Sequence, residues 1–293
     1  MTGSNTNPTG PTAARRRTRR AFLAGVAAAT TGLAGCFGTS DGGATGPKNG
    51  DDLPSDSDPD DGYPPAFEDT PTSRSVNTDA FDTTTVEGTA VPLAPVEDVY
   101  YWYARREARF VDARGPSSYD RSHVFGAVLS PAPNGTEGSG GDPVDQWPKD
   151  ARVVCYCSCP HHLSSLRAAS LLSEGYRNVF VIDEGFREWH DRNYPVAGQR
   201  TERLPPIRVV EGRTDAAFAG ETAWARHLGS GQREATRIRS DGAYRLELPF
   251  AGVTDSSVVA VRTPAYRVEA PLGELTAGTL TGRDAAGRGT AGQ

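Results

Sequence analysis

From Ala151 to Val196 the sequence alternates short β-type runs with helical ones: "ARVVCYC", "SSLRAASLLSEGY", "NVFVI" and "EGFREWHDRNYPV". Strands separated by helices of this length pair in parallel, because the chain needs a crossover to return to the same edge of the sheet. This stretch is therefore confined to a doubly wound α/β sheet. The pattern extends upstream. In "PVEDVYYWYARRE", Val96, Val99, Tyr100 and Tyr103 fall at helical spacing behind Pro95. "ARFVDAR" and "HVFGAVLSP" read as buried strands, and "APNGTEGSGGDP" as a surface loop. The α/β domain is bounded at 86–200.

Chemistry concentrates in "VVCYCSCPHHLSSLRAA", Val153 to Ala169, which holds three of the four cysteines. On a strand, Val153, Cys155 and Cys157 point to one face and Val154 and Tyr156 to the other. Cys155 reads as a small buried apolar residue. Cys157 marks the strand end. Cys159 lies in the turn before a helix that starts near Ser164 or Ser165, both good N-cap residues. Unpaired N–H groups at a helix N-terminus favour thiolate over thiol, which makes Cys159 the best nucleophile.

The remaining cysteine belongs to an address. "ARRRTRRAFLAGVAAATTGLAGCFG" carries a cationic run, Arg15 to Arg20, ahead of an apolar stretch too short to span a bilayer. Thr18-Arg19-Arg20-Ala21-Phe22-Leu23 resembles a twin-arginine export signal, and Leu33-Ala34-Gly35-Cys36 resembles a lipobox. Together they imply a signal peptide over 1–35, lipidation of Cys36, and anchorage on the outer face of the cell membrane. Only Lys48 and Lys149 are lysines among 31 basic residues. This Arg-for-Lys usage, together with the lipobox, resembles haloarchaeal-type lipoproteins. Residues 36–85 are rich in Gly, Ser, Thr, Asp and Pro and read as a disordered acidic tether. The net charge of −6 gives no reason to expect nucleic acid as a partner.

Beyond Gly198 the pattern changes to short strands separated by turn residues: "IRVVEGR", "TAWARHL", "EATRIRS", "AYRLELPF", "SSVVAVR" and "AYRVEA". They predict a small all-β sandwich over 205–275 and a disordered tail over 276–293. "GQREATRIRSDGAYRLELPF" is similar, as a single hairpin, to carboxypeptidase-regulatory or transthyretin-like sandwiches. No catalytic cluster stands out there, and His227 reads as a surface residue.

Residues from about Thr89 to Val196 resemble a rhodanese, or sulfurtransferase, domain. "FVDARGPSSYDRSHVFGAVLSP" is similar to the family's Asp-x-Arg strand end and His-x-x-Gly-Ala turn. "VFVIDEGFREWHDRNYPV" is similar to its closing strand, Trp helix and Tyr-Pro-Val exit. The resemblance implies a six-residue active-site loop, Cys159 to Ser164, with Cys159 as catalytic nucleophile. It also implies a persulfide intermediate and transfer of sulfane sulfur from a donor such as thiosulfate to a thiol or cyanide. Pro160, His161, His162, Leu163, Ser164 and Ser165 then form the substrate-binding loop, with no metal and no diffusible cofactor. Cys157, Arg114 and Arg167 are accessory candidates. Where many members carry a cation in or just after the loop, this chain has a His pair, which supplies charge only at mildly acidic pH.

Other readings stay open. Cys157, Cys159, His161 and His162 are ligand types for Zn or Cu. A Cys157–Cys159 disulfide is a further form. A catalytically weak or inactive rhodanese-fold module for binding, redox or metal handling at the cell surface is the alternative to an enzyme. Asp112 and Arg114 read as a pair bracing the strand end, and Trp189 as core.

Overall fold

The structure, a computed structural model, describes residues 61–67, 70–133, 141–158 and 161–288. The export signal, Cys36 and the first part of the tether lie outside the described residues, as do Cys159 and Pro160. The described residues belong to one compact unit.

Six strands form a mixed sheet in the order β1-β2-β7-β6-β3-β5. Strand β1 (Asp82–Val86) pairs antiparallel with β2 (Thr89–Ala94). The other four, β3 (Arg109–Asp112), β5 (Val128–Leu129), β6 (Arg152–Tyr156) and β7 (Asn178–Ile182), run parallel. The parallel pairing expected of strands separated by helices is what forms. Helices α1 (Val96–Ala104) and α4 (Gly185–Asp191) cover one face of the sheet and α3 (Leu163–Ser173) the other, while the short α2 (Pro116–Arg121) follows β3. Alternation along β6 divides its side chains between the two cores. Val154 and Tyr156 join Trp102, Phe110 and Trp189 on one face, while Val153 and Cys155 join Ala168 and Leu171 on the other. Trp189 is fully buried, and its indole N–H donates to the Pro195 carbonyl at 2.9 Å.

Four parts of the chain fold differently from the sequence reading. "HVFGAVLSP" is not one strand. Strand β4 (His123–Val124) pairs with β8 (Val196–Ala197), and the chain turns at Gly126 before entering β5. Gly126 has φ +87, and a Cβ there would lie 2.3 Å from the Tyr63 carbonyl oxygen. Gly126→Ala is therefore expected to cost about 1–3 kcal/mol or more, read as a lowered thermal midpoint. The tether is also shorter than expected. From residue 61 on, Phe67, Val76 and Phe81 pack on the α1 side of the core, and β1 extends the sheet. Composition hid this, because widely spaced aromatics among Pro, Ser and Asp show no periodicity.

All six C-terminal strands form: β9 (Arg208–Arg213), β10 (Thr222–His227), β11 (Arg233–Arg237), β12 (Ala243–Leu248), β13 (Val258–Arg262) and β14 (Arg267–Pro271). They make two antiparallel sheets, β11-β10-β13-β14 and β12-β9, around one apolar core that includes Val210, Leu246, Ala223 and Val259. The stretch read as a β11–β12 hairpin is a link between the two sheets, because β12 pairs with β9. The tail is not disordered throughout. Leu280 is buried in this core, and α5 (Leu272–Leu275) and α6 (Gly282–Arg288) follow β14.

The two parts meet at the carboxyl end of the parallel sheet. Ala235 on β11 shares an apolar cluster with Ala113, Cys157 and Leu163. Arg233 donates to the Ala132 carbonyl at 2.6 Å, and Ser117 to the Ser230 carbonyl at 3.0 Å.

Candidate active site

The carboxyl ends of parallel strands, facing helix N-termini, are where α/β sheets place their chemistry. Here that place lies between β6 and α3. Cys157 follows β6 directly, and α3 begins at Leu163 with His162 at its N-cap, one to two residues before the Ser164 or Ser165 start read from sequence. His161 holds φ +40, so the chain makes a tight left-handed step into the helix.

Cys157 lies at the base of this turn with no exposed surface. Its Sγ is 3.3 Å from Ser164 Oγ, and the backbone N–H groups of His162 and Ser164 point at it. Burial, and then the Glu234 carboxyl beside it, push the thiol up, while the Ser164 hydroxyl and the two amides pull it back. The balance keeps Cys157 a thiol at neutral pH. Burial pushes Cys155 up to about 12, which makes it an inert core residue.

Asp112 ends β3 and is fully buried; Arg114 is 4% exposed. Arg114 Nε and Nη2 donate to the Asp112 carboxylate at 2.9 and 2.6 Å, and Nη2 also donates to the Ser122 carbonyl at 2.6 Å. The guanidinium lies 4.6 Å above the Phe186 ring. Arg114 also lines a narrow cleft with Arg121, Ser158, Phe186, Arg187 and Gln232, which encloses about 20 Å³, room for roughly one water. A separate cavity of about 280 Å³ is bounded by His161, His162, Ser165, Thr236 and Arg237, among others. Ser165 Oγ is buried there with no hydrogen-bond partner among the described residues.

A family model described as a rhodanese-like domain matches residues 96–192. The thiosulfate sulfurtransferase GlpE of Vibrio cholerae is 31% identical over 93 residues, 31% of this chain and 81% of that protein. The chain belongs to the rhodanese family. The GlpE of Shewanella oneidensis is similar at 33% identity over 89 residues, covering 30% of this chain and 81% of the relative. Among solved structures, a rhodanese-like domain from an Anabaena species matches with 21% identity and a TM-score of 0.33, over 39% of this chain and 84% of that one. A protein from Bacillus halodurans matches with 20% identity and a TM-score of 0.31, over 36% and 76%.

Within the rhodanese domain the accessory residues separate. Cys157 and Arg114 lie at the sheet end where the loop begins. Arg167 is turned elsewhere. Its three nitrogens donate to Ser130 Oγ at 2.8 Å, to Asp142 at 2.7 Å, and to Ser170 and Glu174 at 3.2 Å each. Four of its five N–H groups are thus committed to Ser130, Asp142, Ser170 and Glu174, which ties Arg167 to the outer side of α3. The His pair is not a shared cationic device. His161 Nε2 lies 3.1 Å from Asp183. His162 is held down to about 4, by burial first and by His161 second. It therefore stays neutral at mildly acidic pH. Accordingly, His162→Gln is expected to leave the pH profile of loop-thiol alkylation between pH 5.5 and 8 unchanged.

One residue of this region had no signal in the sequence. Glu234, on β11 and outside the stretch that matches the family, is 3% exposed and borders Cys157, Ser158, Asp112 and Arg114. A carboxylate 75 positions beyond Cys159 in a β-rich segment gives no local sign of its target. Only the packing of β11 against the start of α3 brings it there.

Proposed function

We propose that this rhodanese domain is a sulfurtransferase that carries sulfane sulfur as a persulfide on Cys159. The observation that supports it is the turn from β6 to α3, where the N–H groups of His162 and Ser164 converge on the Cys157 sulfur at the carboxyl end of the parallel sheet. Donors so arranged stabilise a thiolate or a persulfide anion without a cation in the loop. In the sequence Cys159 falls between β6 and α3, two residues beyond a thiol that burial holds protonated.

In this reading the Cys159 thiolate attacks the outer sulfur of thiosulfate. Its lone pair forms the new S–S bond, the old S–S bond breaks, and sulfite leaves with that electron pair. A thiolate or cyanide acceptor then attacks the outer persulfide sulfur, and the Cys159 thiolate departs. The 280 Å³ cavity beside His161 and Ser165 is wide enough for a small sulfur anion, and Arg237 on its wall offers a cation. The relatives' name, thiosulfate sulfurtransferase, agrees with this donor. Export through the twin-arginine signal and anchorage at Cys36 belong to the same proposal and place the reaction on the outer face of the membrane.

Intact-mass measurement of the reduced protein after incubation with thiosulfate tests the reading. The expected result is a gain of one sulfur atom that cyanide removes. No adduct with thiosulfate or with a persulfide donor overturns it.

A further inference from the structure

The C-terminal sheets lie outside the segment that matches the family, yet they deliver a carboxyl group to the sulfur site. Glu234 is almost fully buried, and its Oε2 has no hydrogen-bond partner among the described residues. A buried carboxylate with an unsatisfied oxygen is costly, so such a group needs an explanation beyond packing. Its neighbours supply one. From the end of β3 come Asp112, which repels a negative charge, and Arg114, which attracts it. From the start of the loop come the Ser158 side chain, which hydrogen-bonds the carboxyl, and the Cys157 thiol. From β11 itself comes Arg233. Strand β11 is fixed in this position by the Arg233–Ala132 hydrogen bond and by Ala235 in the cluster with Cys157 and Leu163.

Resting on the sulfur-transfer reading above, we propose that Glu234 is a positioning residue of the sulfur site, supplied by the C-terminal domain. In its neutral form it anchors Ser158 and keeps the site free of net negative charge for an anionic donor. Asp112 and Arg114 cancel one another as a buried ion pair. Arg233 adds a fixed positive charge beside it, so the change in the site's charge with pH turns on Glu234. Burial, the largest influence, pushes its carboxyl up to about 8, against the pull of Arg114. Below that pH the acid is neutral, and no Glu234 charge opposes an anion approaching the start of the loop. Above it a negative charge appears beside the loop, and an anion is repelled from a poorly screened position.

The test separates local charge from thiol chemistry. Loop-cysteine alkylation by iodoacetate, an anion, and by iodoacetamide, a neutral reagent of similar size, is followed by peptide mass spectrometry from pH 6 to pH 9.5. The ratio of the two rates cancels the thiolate fraction and reports charge at the site. In the wild-type chain the ratio is expected to fall roughly tenfold or more as pH rises through about 8. In Glu234→Gln it is expected to stay flat. Glu234→Met, which also removes the Ser158 hydrogen bond, is expected to give the same flat ratio but slower persulfide formation at pH 7 than Glu234→Gln. A flat ratio in wild type, an equal fall in all three proteins, or no labelling by either reagent overturns the proposal. Persulfide formation from thiosulfate, measured on the same samples, is a separate readout. Its absence at every pH, with the wild-type ratio falling as expected, sinks the sulfurtransferase reading while Glu234 still sets the charge of the site.

Discussion

Cys159→Ser is expected to abolish persulfide formation from thiosulfate, lowering the rate on the order of a thousandfold or more, as loss of a nucleophile does. Cys157→Ser is expected to keep the rate within about tenfold, a barrier change under roughly 1.4 kcal/mol. The contrast follows from where the two thiols stand. Cys157 is sealed at the base of the turn, where burial and the Glu234 carboxyl both hold its proton on. A buried thiol of this kind is a packing and hydrogen-bonding group. Serine retains the size and the contacts with the His162 and Ser164 amides. Intact mass after thiosulfate, with each variant run beside the wild type, reads both outcomes at once. Loss of the adduct in Cys157→Ser with its survival in Cys159→Ser would assign the chemistry to the buried sulfur. The role of Glu234 would then be direct proton exchange with the nucleophile.

The parts of the fold that could be read in advance are those whose signal is local. The α/β alternation shows because each strand and helix has its own period, and the α1 pattern of Val96, Val99, Tyr100 and Tyr103 comes out as the helix Val96–Ala104. What escaped depends on distant partners. "HVFGAVLSP" divides because Gly126 takes a left-handed turn against Tyr63, a residue of the segment read as tether. The supposed β11–β12 hairpin crosses between sheets because β12 finds a better partner in β9. At the site, the helix that follows the cysteines was legible from residue types. The neutral His162, the committed Arg167 and the buried Glu234 were not, since burial and third-party carboxylates set all three. A missing loop cation is therefore a poor guide to charge here, because the charge of the site is completed from another part of the chain.

The Asp112–Arg114 pair carries the largest structural consequence, and its two halves are expected to fail differently. Arg114→Met leaves a fully buried Asp112 carboxylate without its partner, which costs about 3–5 kcal/mol. For a chain of this size that lowers the thermal midpoint by roughly 6–20 °C. It also removes the cation that pulls Glu234 downward, so the alkylation-ratio transition moves to higher pH. Asp112→Asn acts in the opposite direction on Glu234. The guanidinium keeps its bond to the Ser122 carbonyl, and the nearby Glu234 is now its available counter-ion. A carboxyl that has lost a repelling neighbour and kept an attracting one ionises earlier. The transition is therefore expected to move down in pH, and the stability loss to be smaller than for Arg114→Met. Arg114→Lys is expected to resemble the methionine variant more than the wild type. An ammonium has no planar fork to hold Asp112 at two points while reaching Ser122. Thermal unfolding of the three variants and the pH of the alkylation-ratio transition measure these shifts independently. Equal destabilisation with no movement of the transition would mean that Glu234 does not sense the pair, and that the ion pair braces the strand end without setting the charge of the sulfur site.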